Sequence, residues 1–110
     1  MSMDRFSTSF PVSVTTSLAT TGKIPYGAAA QGEIEIPAGS SITSLTWNSC
    51  TEENGTYAAV YDDNLAAPVA QVQAGLVAGR SYPIPTPCAG KRWLKPVGNA
   101  AGAIQATVKG

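Results

Sequence analysis

Residues 32–50 read GEIEIPAGSSITSLTWNSC, and this stretch decides the fold class. Ile34 and Ile36 alternate with Glu33 and Glu35, the period-two pattern of a strand with one dry face and one wet face. Pro37-Ala38-Gly39 supplies turn chemistry. ITSLTWNSC then resumes the alternation, with Thr43, Leu45 and Trp47 on one side and Ile42, Ser44 and Thr46 on the other. Leu45 and Trp47 mark the buried side.

The same grammar extends in both directions. Downstream, TEENG interrupts with charge and glycine, TYAAVY is β-prone, DDNLAAP turns the chain, and VAQVQ returns it, so residues 55–75 read as a hairpin. Tyr57, Ala59 and Tyr61 share one face of its first strand, a packing surface whose partner is either the domain's own core or another subunit. LVAGRSYPIPTP carries Pro83, Pro85 and Pro87, which deny it a central place in a sheet. RWLKPV and AIQATV are further strands around a GNAAG turn. Upstream, FPVSVTTSL sets Phe10, Val12, Val14, Thr16 and Leu18 on one face, and Pro11 moves that strand to a sheet edge. TTGKIPYGAAAQ reads as an irregular connection.

About eight short strands, turn signals roughly every 8 to 14 residues and no segment of period 3.6 predict an all-β protein. The expected architecture is a single-domain antiparallel β-sandwich, jelly-roll-like, with a seven-stranded sandwich as the alternative. The predicted organisation is a flexible polar N-terminal arm over 1–9 and a β-sandwich domain over 10–110.

Composition narrows the function classes. Seven Lys plus Arg balance seven Asp plus Glu, so the chain lacks the positive field of a nucleic-acid binder. Charged residues make up 13% of the chain, about half the usual share of about 25%, a thin solvating surface that suits an assembly with part of that surface covered. No apolar run reaches the ~20 residues that cross a bilayer, and MSMDRFSTSF lacks the apolar stretch of a signal peptide, so the expectation is synthesis in the cytoplasm with no membrane partner.

The chain has no histidine, which removes the usual general base and the Ser/His/Asp and Cys/His nucleophile systems, so no enzyme activity and no cofactor are expected. Two cysteines, Cys50 and Cys88, are too few for a structural zinc site. They read as free, mostly buried thiols in a reducing compartment; a disulfide is the alternative and would add roughly 3 to 4 kcal/mol. Glu33 and Glu35 read as the wet face of a strand rather than a glycosidase pair. Asp62-Asp63-Asn64 reads as a hairpin turn rather than a calcium loop. Lys91, Arg92 and Lys95 form a local positive cluster beside Trp93, and two readings stand: a docking patch with Trp93 as anchor, or a core Trp93 with solvated cations.

From residue 42 onward the order ITSLTW, GTYAAVYDDNLAAPVAQVQAG, AGRSYPIP and AGKRWLKPVGNAAGAIQATVKG resembles the small β-sandwich capsid decoration, or cement, proteins of tailed bacteriophages. The resemblance implies a noncatalytic protein on the exterior of an icosahedral capsid, a homotrimer bracing the major capsid protein. The alternatives are a carbohydrate- or receptor-binding module of a tail or fibre and a carboxylate-dependent polysaccharide enzyme. By residue type, the candidate interface side chains are Arg5, Phe6, Arg80, Tyr82, Arg92 and Trp93, because Trp, Tyr and Arg dominate interface hot spots.

Overall fold

The computed structural model describes residues 7–27, 31–62 and 69–109, with backbone alone at Asp62 and Val69. Two antiparallel sheets face each other. The first contains β1 (Ser7–Val14), β11 (Gly102–Lys109), β3 (Gln31–Glu35) and β9 (Ser81–Pro83), in the spatial order β1-β11-β3-β9. The second runs β2 (Ile24–Pro25), β10 (Trp93–Gly98), β4 (Leu45–Cys50) and β5 (Ala58–Ala59), and β8 (Val72–Gln73) also pairs with β4. A separate ribbon pairs β6 (Tyr61–Asp62) with β7 (Val69–Ala70).

The pairings trace one long folded hairpin. β1 pairs β11, β2 pairs β10, β3 pairs β9, and β4 pairs β5 and β8. Rolling that hairpin up brings β11 beside β3 and β10 beside β4. This is jelly-roll order, so the seven-stranded alternative falls away.

The differences from the sequence reading arise from pairing with distant strands. TTGKIPYGAAAQ contains a strand, β2, which is invisible to periodicity because only two residues pair. The strand beside β4 is split. Val60 N–H donates to the Trp47 carbonyl (2.9 Å), and Trp47 N–H donates to the Gln71 carbonyl (3.0 Å), so the β6–β7 ribbon leaves and rejoins the sheet at one residue of β4. β1 also begins at Ser7, taking in residues 7–9, while residues 1–6 lie outside the described residues.

Prolines sit where the ladder needs no donor. The Ser13 carbonyl accepts from Gly22 N–H (2.6 Å), away from β11, so Pro11, two residues earlier, also turns its missing N–H to the open edge. Pro83 does the same on β9, because it is the even-numbered neighbours Arg80 and Ile84 that bond toward β3. Pro96 lies in a central strand, yet β2 spans only Trp93 and Leu94 of β10. Beyond that overlap the Pro96 carbonyl takes the Thr21 hydroxyl (3.2 Å) and no backbone donor is required.

The core forms where the alternating faces meet: Val12, Val14, Ile34, Ile104, Ala106 and Val108 from the first sheet against Ile24, Leu45, Trp47 and Leu94 from the second. Each large side chain so buried contributes about 1.5–3 kcal/mol relative to exposure. Trp47 is fully buried, and its Nε1–H donates to Gln73 Oε1 (3.2 Å). Gln73 Nε2–H donates in turn to the Pro83 carbonyl (3.1 Å), clasping β8 of one sheet to β9 of the other. At Gly98 a Cβ would fall 2.6 Å from Val14 Cγ1, so closeness of the sheets requires glycine there.

Candidate interaction surface

The two outer faces differ in chemistry. The first sheet turns Ser9, Pro11 and Ser13 outward beside Ala103, Gln105 and Thr107 of β11, and Glu33 and Glu35 of β3 follow in register. Ser9 and Thr107 share a hydroxyl hydrogen bond (2.8 Å), and Lys109 Nζ pairs with Glu33 (3.2 Å) across the exposed surface. Glu33 and Glu35 are thus the wet face that their alternation with isoleucine predicted.

The second sheet turns three cross-strand rows outward: Trp93 with Pro25 and Cys50, Lys95 with Asn48 and Ala59, and Val97 with Thr46 and Val72. Val72 is 49% exposed and Tyr61, on the neighbouring ribbon, 52%. Lys95 is the sole cation in these rows and it is buried: Nζ donates to the Leu18 carbonyl (3.0 Å) and stands 4.7 Å from the Tyr57 ring centroid. A cation over an aromatic face is stabilised by the ring quadrupole. The predicted trio Lys91, Arg92 and Lys95 is therefore divided: Lys91 and Arg92 are exposed, whereas Lys95 is roofed by its own chain.

Tyr57 and Tyr61 answer differently to the question of what the tyrosine face meets. Tyr57 lies outside the core cluster, against Lys95, and its hydroxyl donates to the Glu53 carbonyl (2.7 Å). Burial, with smaller contributions from Cys50 and Glu53, pushes that hydroxyl above its ordinary value of 10.0. Tyr61, four residues on, is open to solvent. Tyr57 is thus buried by its own chain, beside the main core cluster, whereas Tyr61 is left open.

One end of the roll gathers the loops that follow β2, β4 and β9, and it holds Arg92 and Trp93. A 3-10 turn (Thr86–Cys88) buries Cys88, and Ala89 (φ −60, ψ 137) with Gly90 (φ +82) then forms a type II turn closed by Lys91 N–H to the Cys88 carbonyl (3.2 Å). That turn delivers Lys91 and Arg92, both exposed, to the start of β10. Tyr26 N–H donates to the Arg92 carbonyl (2.8 Å) and pins the strand entry. Two open depressions flank Arg92. One of about 500 Å³ is lined by Pro25, Gly27, Arg92 and Trp93; the other, of about 310 Å³, by Ser49, Cys50, Thr51, Gly90, Lys91 and Arg92. Trp93 is half-buried beside them, a position between the two readings its sequence allowed.

The remaining candidates are scattered. Arg80 is exposed at the opposite end of the roll, and Tyr82 is half-buried on edge strand β9, its hydroxyl accepting from Val77 N–H (2.8 Å). Arg5 and Phe6 lie outside the described residues, as do Asp63 and Asn64 of the calcium reading. Cys50 and Cys88 are both free thiols; burial pushes Cys88 up to about 12, so it is held protonated, while nearby Lys91 acts weakly the other way. Among the described residues no three His, Cys, Asp or Glu side chains converge as a metal site would require. Sequence reasoning missed Val72 and Val97, whose outward rows become visible only once the register across β4 is known.

No protein-family model matches the chain, and no curated protein matches it. Among solved structures, the crystal structure of SPBc2 prophage-derived protein YomS matches along the whole length, with a TM-score of 0.62 and 12% identity, covering 100% of this chain and 98% of that one. This chain has the fold of a prophage-derived protein. At 12% identity the likeness to YomS is one of fold, and the side chains of the outer faces and of the Arg92 end are read from this chain alone.

Proposed function

We propose that this protein is a noncatalytic virion structural protein, a decoration or cement protein seated on the outer surface of a phage capsid as a homotrimer. The observation that carries the reading is the asymmetry of the roll: a hydroxyl- and carboxylate-rich face on one sheet, and on the other a face with exposed Val72 and Tyr61 and half-buried Trp93. A neutral chain with 13% charged residues resists association weakly, which suits repeated contacts with a shell. The YomS-like fold and the order of motifs over residues 42–110 support a phage setting. In this reading the second sheet meets the major capsid protein or a sister subunit and the first sheet faces water.

Mass spectrometry of purified heads separated from tails tests the location. Recovery with heads is expected; recovery with tails alone overturns the reading. Sedimentation at micromolar concentration tests the oligomer, and a species of 11.3 kDa would defeat a preformed trimer. A second reading, a carbohydrate- or receptor-binding module of a tail or fibre, is favoured by Trp93 and Arg92 bordering one open depression.

A further inference from the structure

We propose that the paired depressions around Arg92 are a docking site for an acidic peptide segment that places an apolar side chain beside its carboxylates. The proposal rests on the capsid reading for who supplies the segment, a surface loop of the shell protein, but the site itself is argued from this chain. Lys91 and Arg92 are exposed and make no ion pair among the described residues. Other cations are engaged: Lys95 with Leu18 and Tyr57, Lys109 with Glu33, Lys23 with Asn54. Arg80, the remaining exposed cation among the described residues, stands at the opposite end.

Both depressions mix polar and apolar lining, and they differ in the side chains they offer. The smaller one is lined by Ser49, Cys50, Thr51, Gly90, Lys91 and Arg92, and within it the Lys91 ammonium is the group that suits a carboxylate. Pro25, Gly27 and Trp93 line the larger one with apolar surface suited to a side chain. Arg92 borders both and is placed to hold a second carboxylate between them. A singly charged ligand leaves one cation unmatched, whereas a short segment of the order acid, acid, apolar meets all three features. Glu52 and Glu53, exposed on the neighbouring loop, repel such a segment from that side and so set its direction.

The test is a titration of the ¹⁵N-labelled full chain with the blocked tripeptide Glu-Glu-Leu, followed by amide and indole resonances. Saturable shifts confined to Thr51, Gly90, Lys91, Arg92 and the Trp93 indole are expected. Binding should weaken severalfold between about 20 mM and about 300 mM salt as the screening length shortens. The double variant Lys91→Gln/Arg92→Gln should lose about tenfold in affinity, with the rest of its spectrum unchanged because both side chains are exposed. Absent shifts, shifts elsewhere, or equal binding by the double variant overturn the proposal. So does glucuronic acid saturating the same resonances where the peptide does not, which would assign the site to a sugar. The titration needs no virus particle, so finding the protein off the heads would defeat the capsid reading and leave this result standing.

Discussion

The two outer faces of the roll are built by the same backbone rule and end in opposite chemistry. On the first sheet the outward positions include Ser9, Pro11, Ser13, Ala103, Gln105, Thr107, Glu33 and Glu35; on the second they include Trp93, Cys50, Lys95, Asn48, Val97, Thr46 and Val72. Both sheets bury the inward positions of their central strands. Stability of the fold needs only the inward half of each alternation, so the outward half is free to serve contact or solubility. The second face has even acquired a secondary packing layer, in which Leu18 and Tyr57 close over Lys95. The first face has only an exposed ion pair and a hydroxyl pair.

The comparison can be broken most sharply by reversing one charge on each face. Lys95→Glu replaces a buried, satisfied ammonium by a carboxylate facing the Leu18 carbonyl and the Tyr57 ring, and should cost about 3 kcal/mol in urea unfolding. A loss below about 1 kcal/mol would mean that the layer over the second sheet opens easily. Next, Val72→Lys should weaken occupancy on heads about tenfold, or about 1.4 kcal/mol, while Ser9→Lys on the first face leaves it unchanged. Equal losses would erase the functional difference between the faces.

A smaller effect separates the faces by pH. Burial raises the Tyr57 hydroxyl in the fold, whereas the unfolded chain ionises near 10.0, so the unfolded state binds fewer protons and stability falls as pH rises above 10.0 toward the folded value. Tyr57→Phe should remove part of that alkaline loss, measured by denaturation midpoints at either side of 10.0. An unchanged slope would assign the loss to other groups, of which Tyr26, also raised by burial, is the first to check. Smallest of all, Glu33→Lys on the first face should move stability by no more than about 0.5 kcal/mol, because the ion pair it breaks is exposed and screened.

Much of the fold was legible because its signals are local. The alternation of Ile34 and Ile36 with Glu33 and Glu35, the Pro37-Ala38-Gly39 turn with Gly39 at φ +81, and the edge positions of Pro11 and Pro83 all follow from one or two residues at a time. The reading erred where cause and effect were distant. β2 exists because Leu94 and Trp93 arrive from seventy residues away to pair with it, and its own two residues carry no period. Lys95 reads as a member of a cationic cluster until Leu18 and Tyr57 are seen to close over it.

The candidate site divides the same way. Arg92 and Trp93 were singled out by residue type, and they border one open depression together. Arg80 and Tyr82, chosen on the same ground, are carried elsewhere by β9. Residue type indicates what a side chain can do, but the strand order decides its neighbours.

The sequence by itself determined that this chain is all β, that its hydrophobic alternation demands two facing sheets, and that it lacks histidine chemistry. These are consequences of composition and of the two-residue strand period, which act locally. Only the tertiary structure decided which outward rows lie side by side, that Tyr57 is buried while Tyr61 is open to solvent, and that Lys91 and Arg92 stand at one end with Trp93. Register across a sheet is set by where distant strands meet, and rolling the long hairpin is what brings those strands together.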